Sequence, residues 1–149
     1  MFKGLIALLV TLCLLMGVSY AGEDFTISGD LTFQYDGDIY VCLLTMEAFQ
    51  VIRERNPSPP YLKIIKLDAD LKKAGRVSFE FEKIPKGTYG IIAYQETVKN
   101  GKFDFNPFFG TSKEPYGSYR ELPPERSSPD WSVIKFDLNK NLTGIEIQM

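Results

Sequence analysis

The 149-residue sequence contains no histidine. Histidine is the side chain whose ordinary pKa lies closest to neutrality. It is the base in Ser–His and Cys–His pairs and a frequent ligand of catalytic zinc, so its absence excludes these classes of enzyme. A hydrolase that uses two carboxylates needs no histidine, and Asp104 and Glu114 are the pair to test for it. Because 19 acidic residues always offer some pair, this signal has no specificity, and we expect a protein that is not an enzyme.

Long apolar runs are absent except at the N-terminus. Residues 1–21 have a short positive start at Lys3, an apolar core over 5–16, and small residues at Ser19 and Ala21. This order predicts a signal peptide helix that is cleaved before Gly22. An uncleaved membrane anchor is the alternative, but the apolar core is shorter than the about 20 residues that cross a bilayer. We therefore expect an exported protein, periplasmic or extracellular, whose single domain spans residues 22–149.

Cysteine and positive charge are both scarce in that domain. Cys42 is its only cysteine, so an internal disulfide is impossible. Its apolar neighbours favour a buried, inert thiol over a disulfide-linked dimer. Loss of Lys3 leaves 16 of the 17 basic residues against 19 acidic ones, a net charge of −3. Nucleic acids and anionic membranes attract a concentrated basic face, so neither is an expected partner.

Alternating and continuous apolar patterns predict seven β-strands. Asp36-Gly37 marks a tight turn after the first of them, and Gly29 within it predicts a bulge or a close approach. Residues 46–55 predict a short helix or an extended edge segment, residues 68–75 a polar connection, and residues 96–130 a long C-terminal loop. Seven strands in a chain of this size indicate an antiparallel β-sandwich. The predicted strands are 25–33, 39–45, 61–67, 76–82, 88–95, 131–138 and 142–149.

Residues 86–117 carry the most specific pattern in the chain. They read K-G-T-Y-G-I-I-A-Y-Q-E-T-V-K-N-G-K-F-D-F-N-P-F-F-G-T-S-K-E-P-Y-G. This order resembles a family of small exported bacterial proteins catalogued as domain of unknown function 2141, a family that implies a fold and no activity. The phrase I-P-K-G-T-Y also resembles the strand entry of transthyretin-like and Ig-like sandwiches. The transthyretin-like hydrolases depend on histidine, so the resemblance does not extend to their activity.

The same loop contains a possible calcium site. The family pattern D-x-N-x-N-G-x-x-D-x-N places oxygen ligands at alternate positions around a glycine, an arrangement that suits a hard cation. The residues at matching positions here that retain such oxygens are Glu96, Asn100, Asp104 and Asn106, while Val98 removes one ligand. The alternative is a structural turn in which Asn and Asp side chains bond to the nearby backbone. No other cofactor is expected.

Aromatic residues concentrate in the loop and suggest a binding surface. Phe105, Phe108, Tyr116 and Tyr119 are the candidates for contact with a protein or a glycan at the cell envelope. The alternative is that the aromatic side chains fold back and plug one end of the sandwich. The sequence therefore predicts a binding or accessory module, with a calcium-stabilised structural domain and a carboxylate-dependent hydrolase as the other hypotheses.

Overall fold

A computed structural model describes residues 22–54, 59–101, 103–104, 112–120 and 129–149, with the side chains of 51–54 excepted. The predicted signal peptide lies outside this part of the chain. None of the helices within it is long and apolar enough to cross a membrane. Its elements are β1 (Asp24–Thr32), β2 (Asp38–Leu44), α1 (Met46–Glu54), β3 (Tyr61–Ile65), α2 (Ala69–Ala74), β4 (Arg76–Pro85), β5 (Gly87–Glu96), β6 (Tyr116–Ser118), α3 (Trp131–Ile134), β7 (Lys135–Leu138) and β8 (Leu142–Gln148).

The strands form two sheets. The first has the order β4-β1-β8, and the second has the order β3-β2-β5-β6. β7 joins the second sheet on the same edge of β5 as β6, because it pairs with residues 87–90 while β6 pairs with residues 92–94. The pair β1–β8 is parallel, whereas the other pairs are antiparallel. The prediction of a wholly antiparallel fold is therefore wrong in one pair of strands.

All seven predicted strand segments contain a strand, but the count of seven is not confirmed. The described residues form eight strands, because the three-residue β6 lies inside the predicted loop, where it is too short to show alternation. Residues 131–134 form α3 before β7 begins, since the Asp130 side chain accepts the Ser132 N–H at 2.8 Å and caps the helix. In the predicted polar connection, Asp68 caps α2 in the same way and Gly75 ends it.

Two hydrophobic clusters hold these elements together. The larger lies between the sheets and includes Ile27, Leu31, Val41, Phe79, Phe81, Ile91, Leu138 and Ile147. The smaller covers the outer face of the second sheet, where Phe49 of α1 and Ile134 of α3 pack against β2 and β5. The central strands β2 and β5 are therefore buried on both faces, as the continuous apolar run of β2 predicts. Cys42 is 1% exposed, and burial raises the pKa of its thiol to about 12, which confirms the buried thiol.

One side of the sandwich is closed by a contact between backbones. β6 lies against β8, and a Cβ on Gly117 would sit 2.2 Å from the carbonyl oxygen of Gln148. Gly29 makes a similar approach, with its virtual Cβ 2.2 Å from the Ile145 carbonyl oxygen, which confirms the predicted close approach. The opposite side of the sandwich lies between β3 and β4, each of which is the edge strand of its sheet.

Candidate functional site

The loop that follows β5 brings three of the four predicted calcium ligands together. Glu96 ends β5 and its Oε1 accepts the Asn100 backbone N–H at 2.6 Å. The Asn100 side-chain amide then donates to Asp104 Oδ2 at 2.6 Å. The fourth predicted ligand, Asn106, lies outside the described residues. The backbone turns sharply between Glu96 and Asp104, with Lys99 at φ 57° and Gly101 at φ 72°. Glycine suits the second position, because it adopts positive φ without strain.

The sequence suggested Glu114 as half of a catalytic pair with Asp104, and the structure places it in this same cluster. The Glu114 side chain is 3% exposed, although it comes from the far end of the loop. Its Oε2 accepts the Asp104 backbone N–H at 3.3 Å, and its Oε1 has no hydrogen-bond partner in the described part of the chain. The backbone at Lys113 donates to the Asp104 carbonyl at 2.9 Å and closes the loop. We call Glu96, Asn100, Asp104 and Glu114 the acidic loop cluster.

Burial and neighbouring charge disfavour ionisation of Glu114. Burial is the larger cause, and the negative charges of Glu96 and Asp104 act in the same direction, while the N–H bond from Asp104 opposes them. Together they raise the pKa of Glu114 to about 7. The ion pairs of the described residues involve Lys66, Lys72 and Arg76 with acids elsewhere. No described basic side chain therefore pairs with the acidic loop cluster.

The acidic loop cluster does not form a ready-made metal site. Within the described ranges, no three acidic or cysteine side chains are grouped so that they could hold a metal ion. Its polar groups instead bond to each other and to the backbone, which is the arrangement of a structural turn. A hollow of about 450 Å³ adjoins the cluster and is lined by Tyr35, Thr97 and residues 112–115. Glu114 is the acidic residue among those that line this hollow, although its side chain is buried.

The described aromatic residues of the loop pack inward. Phe103 stacks on Tyr94 of β5 with the ring centroids 4.7 Å apart. Tyr116 meets the edge of Phe103 at 5.6 Å, and Tyr119 meets Phe136 at 5.2 Å. Tyr116 and Tyr119 are only partly exposed, so their rings anchor the loop to the sandwich as the plug hypothesis expects. Phe105 and Phe108 lie outside the described residues, and their assignment to a binding surface stays a prediction.

The open side of the sandwich contains a trough that sequence reasoning missed. One hollow of about 740 Å³ is lined by residues 63–65, 78–80 and 28–30 with Gly144. A second of about 480 Å³ is lined by residues 60–63 and 80–82 with Ile84. The hollows share Lys63 and Glu80, and we call the pair the β3–β4 trough. The only sequence signal for it was the alternation that gave β4 one polar face.

The charges of the β3–β4 trough are unevenly distributed. Glu80 and Glu82 are exposed, and neither forms an ion pair with a described residue. Asp30 is already held by Arg76 at 2.7 Å and by the Ser78 hydroxyl at 2.5 Å. On the β3 wall, Lys63 places its Nζ 6.0 Å from the centre of the Phe81 ring. The β4 wall therefore carries unpaired negative charge.

The β3 wall of the trough carries an exposed apolar side chain, that of Ile64. Ile64 is 47% exposed and is one of the few large apolar side chains that solvent reaches in the described residues. Its neighbours Tyr61 and Ile65 pack against the main core, and they fix the strand in place. Side chains alternate along a strand, so Ile64 lies on the face of β3 opposite to Tyr61 and Ile65. Glu80 and Glu82 lie on the face of β4 opposite to buried Phe79 and Phe81.

The sequence was compared with known protein families, curated proteins and solved structures. The family found is the one that residues 86–117 resemble. No curated protein and no solved structure matches the chain. A family model described as "Uncharacterized protein conserved in bacteria (DUF2141)" matches residues 34–146, which is more than half of the sequence. The match extends from the tight turn before β2 into β8 and so includes the acidic loop cluster and the strands β3 and β4 of the trough. The chain belongs to this DUF2141 family.

Proposed function

We propose that this protein is an exported, non-enzymatic binding module of the cell envelope, on a transthyretin-like or Ig-like sandwich. The observation that carries the proposal is the β3–β4 trough. One side of the sandwich is closed by β6 and β8 in backbone contact, whereas the other leaves hollows of about 740 and 480 Å³. The ligand that we assign to the trough is a protein.

The acidic loop cluster supports a structural role better than a catalytic one. Glu114 is a buried acid with a pKa of about 7 beside Asp104, a pairing that glycosidases use. A general acid must, however, reach the atom that it protonates. The Glu114 side chain is 3% exposed, and one of its oxygens is held by the backbone. Our proposal therefore assigns no chemical step to these carboxylates.

Site-directed crosslinking in the cell envelope tests the proposal. The full-length chain carries Ile64→Cys, which places a thiol on the trough, and the exported protein is labelled with a thiol-linked photocrosslinker. Cys42 does not compete, because it is 1% exposed and burial raises its pKa to about 12. We expect a discrete crosslinked adduct with a partner protein, as the binding function requires. We also expect the purified protein to begin at Gly22, as export with cleavage of the signal peptide requires.

Two variants serve as matched controls for the crosslinking experiment. Asp70→Cys places the same thiol on the exposed surface of α2, away from the trough, and we expect no discrete adduct from it. Combining Ile64→Cys with Glu80→Lys and Glu82→Lys should remove the adduct, because the acidic wall is then reversed. Equal adducts from Ile64→Cys and Asp70→Cys would contradict the proposal, as would an Ile64→Cys protein that crosslinks to nothing.

Calcium stabilisation of the loop is a second candidate function. The observation that favours it is Glu114 Oε1, a buried acidic oxygen without a described partner, beside Glu96 and Asp104. Thermal unfolding with calcium and with chelator tests it, because an ion that binds only the folded state raises Tm. Terbium adds a direct readout, since the nearby ring of Tyr94 would sensitise its emission. A rise in Tm that Glu114→Gln abolishes would support calcium binding, and an unchanged Tm would end it.

A further inference from the structure

We infer that Asn100 is a modification site, at which spontaneous deamidation converts the side-chain amide to a carboxylate and adds a negative charge to the acidic loop cluster. Asparagine is one of the thermolabile residues. Three features of the loop after β5 lead to this assignment: the residue that follows Asn100, the open backbone at that residue, and the groups that the Asn100 amide contacts. The site lies outside the β3–β4 trough, and its chemistry does not depend on the proposed binding function.

Deamidation of an asparagine begins with attack by the backbone nitrogen of the next residue. The Gly101 nitrogen forms a bond to Asn100 Cγ, and the bond from Cγ to Nδ2 breaks. The proton of the attacking nitrogen passes through solvent to the leaving amine, so ammonia departs and a cyclic succinimide remains. Water then opens the ring at either of its carbonyls, which gives aspartate or isoaspartate at position 100. The net reaction consumes one water and releases one ammonia, and it needs no oxidant or further reactant.

Gly101 is the neighbour that opposes this attack least. Glycine has no side chain to crowd the attacking nitrogen and little restriction on its backbone, and Asn100-Gly101 is the only Asn-Gly pair in the sequence. Gly101 is exposed with φ 72°, and a virtual Cβ on it has nothing within 4 Å. Its backbone N–H makes no hydrogen bond within the described residues. The attacking nitrogen is therefore open to solvent and is not committed to another partner there.

The contacts of the Asn100 amide give its loss a structural consequence. Nδ2 donates to Asp104 Oδ2 at 2.6 Å, while the Asn100 backbone N–H donates to Glu96 Oε1 at 2.6 Å. After deamidation an oxygen takes the place of Nδ2, so a donor that holds Asp104 becomes a charged acceptor that repels it. The ion pairs of the described residues lie elsewhere, so no described basic side chain offsets the added charge. We therefore expect the modified loop to be less stable.

Two other described asparagines serve as comparators within the same chain. Asn139 and Asn141 are exposed, as Asn100 is. They precede Lys140 and Leu142, whose side chains hinder attack by the backbone nitrogen. The comparison therefore varies the following residue while solvent reaches all three asparagines.

Ageing of the purified protein at pH 7 and at pH 9, followed by peptide mapping with tandem mass spectrometry, tests this site. We expect aspartate and isoaspartate to accumulate at position 100 severalfold faster than at Asn139 and Asn141. The rate should be higher at pH 9, because the attacking nitrogen must lose its proton. Gly101→Ala should slow the reaction severalfold. Because alanine is strained at φ 72°, Asn100→Gln is a second variant, which keeps an amide but forms the larger ring much more slowly and should stay unmodified.

Thermal unfolding tests the consequence for the acidic loop cluster. Asn100→Asp reproduces the aspartate product and should lower Tm by a few degrees. Asn139→Asp adds the same charge in an exposed turn outside the cluster and should leave Tm unchanged. An intact Asn100 after ageing, or equal modification of all three asparagines, would overturn the assignment of the site. Aspartate without isoaspartate would overturn the role of Gly101, and equal Tm values for the two aspartate variants would overturn the effect on the cluster.

Discussion

Raising the pH should destabilise this protein through one side chain, Glu114. Its pKa in the folded state is about 7, raised from an ordinary value of 4.5 by burial and by the charges of Glu96 and Asp104. A carboxyl with a raised pKa binds its proton more tightly in the folded state than in the unfolded chain. The stability that it contributes is therefore fully present below about pH 4.5 and is lost as the pH rises through 7.

The magnitude follows from the difference between the two pKa values. Each pKa unit corresponds to about 1.36 kcal/mol, so the change from 4.5 to about 7 corresponds to about 3 kcal/mol. The side chain is 3% exposed, but it lies beside an open hollow, so solvent screening reduces the expected loss to about 1–3 kcal/mol. Small domains have total stabilities of about 5–15 kcal/mol, so the loss is a large fraction of the whole.

The assay is denaturant unfolding of the unaltered protein and Glu114→Gln from pH 4.5 to pH 9. Glutamine keeps the shape of the side chain but stays neutral, so all other titrating groups cancel in the difference between the two curves. The variant should match the unaltered protein near pH 4.5 and should be about 1–3 kcal/mol more stable at pH 9. Glu82→Gln, which changes an exposed carboxyl outside the acidic loop cluster, serves as the control for loss of one acidic group.

Two results would refute this reasoning. If the curves for Glu114→Gln and the unaltered protein coincide at every pH, Glu114 does not titrate in this range and its burial is not as described. If Glu114→Gln is less stable by the same amount at every pH, the carboxylate itself makes a favourable contact in the folded protein. That second result would also favour a bound cation, whose presence can be checked by repeating the measurement in chelator.

Three further predictions concern the packing around this site. Gln95→Leu should lower the free energy of unfolding, measured in denaturant melts, by about 2–4 kcal/mol. The reason is that the buried Gln95 side chain accepts the backbone N–H of Tyr35 and donates to its carbonyl. An unchanged stability would show that the turn before β2 does not need these bonds. Gly117→Ala should cost about 1–3 kcal/mol, since its Cβ meets a β8 carbonyl at 2.2 Å, whereas Gly22→Ala has open space and should be neutral. Cys42 should react with a thiol reagent only on unfolding; rapid labelling of the native protein would contradict its burial.

The strands of this protein were predictable because their signal is local. Alternation in β4 placed Phe79 and Phe81 on the buried face, and a continuous apolar run marked β2 as a central strand. Asp36-Gly37 likewise marked the turn before β2. The three-residue β6 escaped prediction, because a strand so short has no period to read and forms only through its pairing with β5.

The candidate site was only partly predictable. The sequence pattern grouped Glu96, Asn100 and Asp104, which are close along the chain and whose groups bond directly. It did not place Glu114 in the same cluster, because that contact spans ten residues of loop and depends on how the loop returns to β5. The raised pKa of Glu114 is a consequence of this burial and has no signal in the sequence.

The sequence by itself determined the family, the mostly β composition and the absence of histidine chemistry, since these depend on residue identity and local pattern. Only the tertiary structure decided that β1 pairs in parallel with β8, that Gly117 closes one side of the sandwich, and that the other side stays open as the β3–β4 trough. These features join residues that are far apart in the chain, as Lys63 and Phe81 are. These contacts depend on the packing of distant segments against each other, and the periodicity of a single segment does not encode that packing.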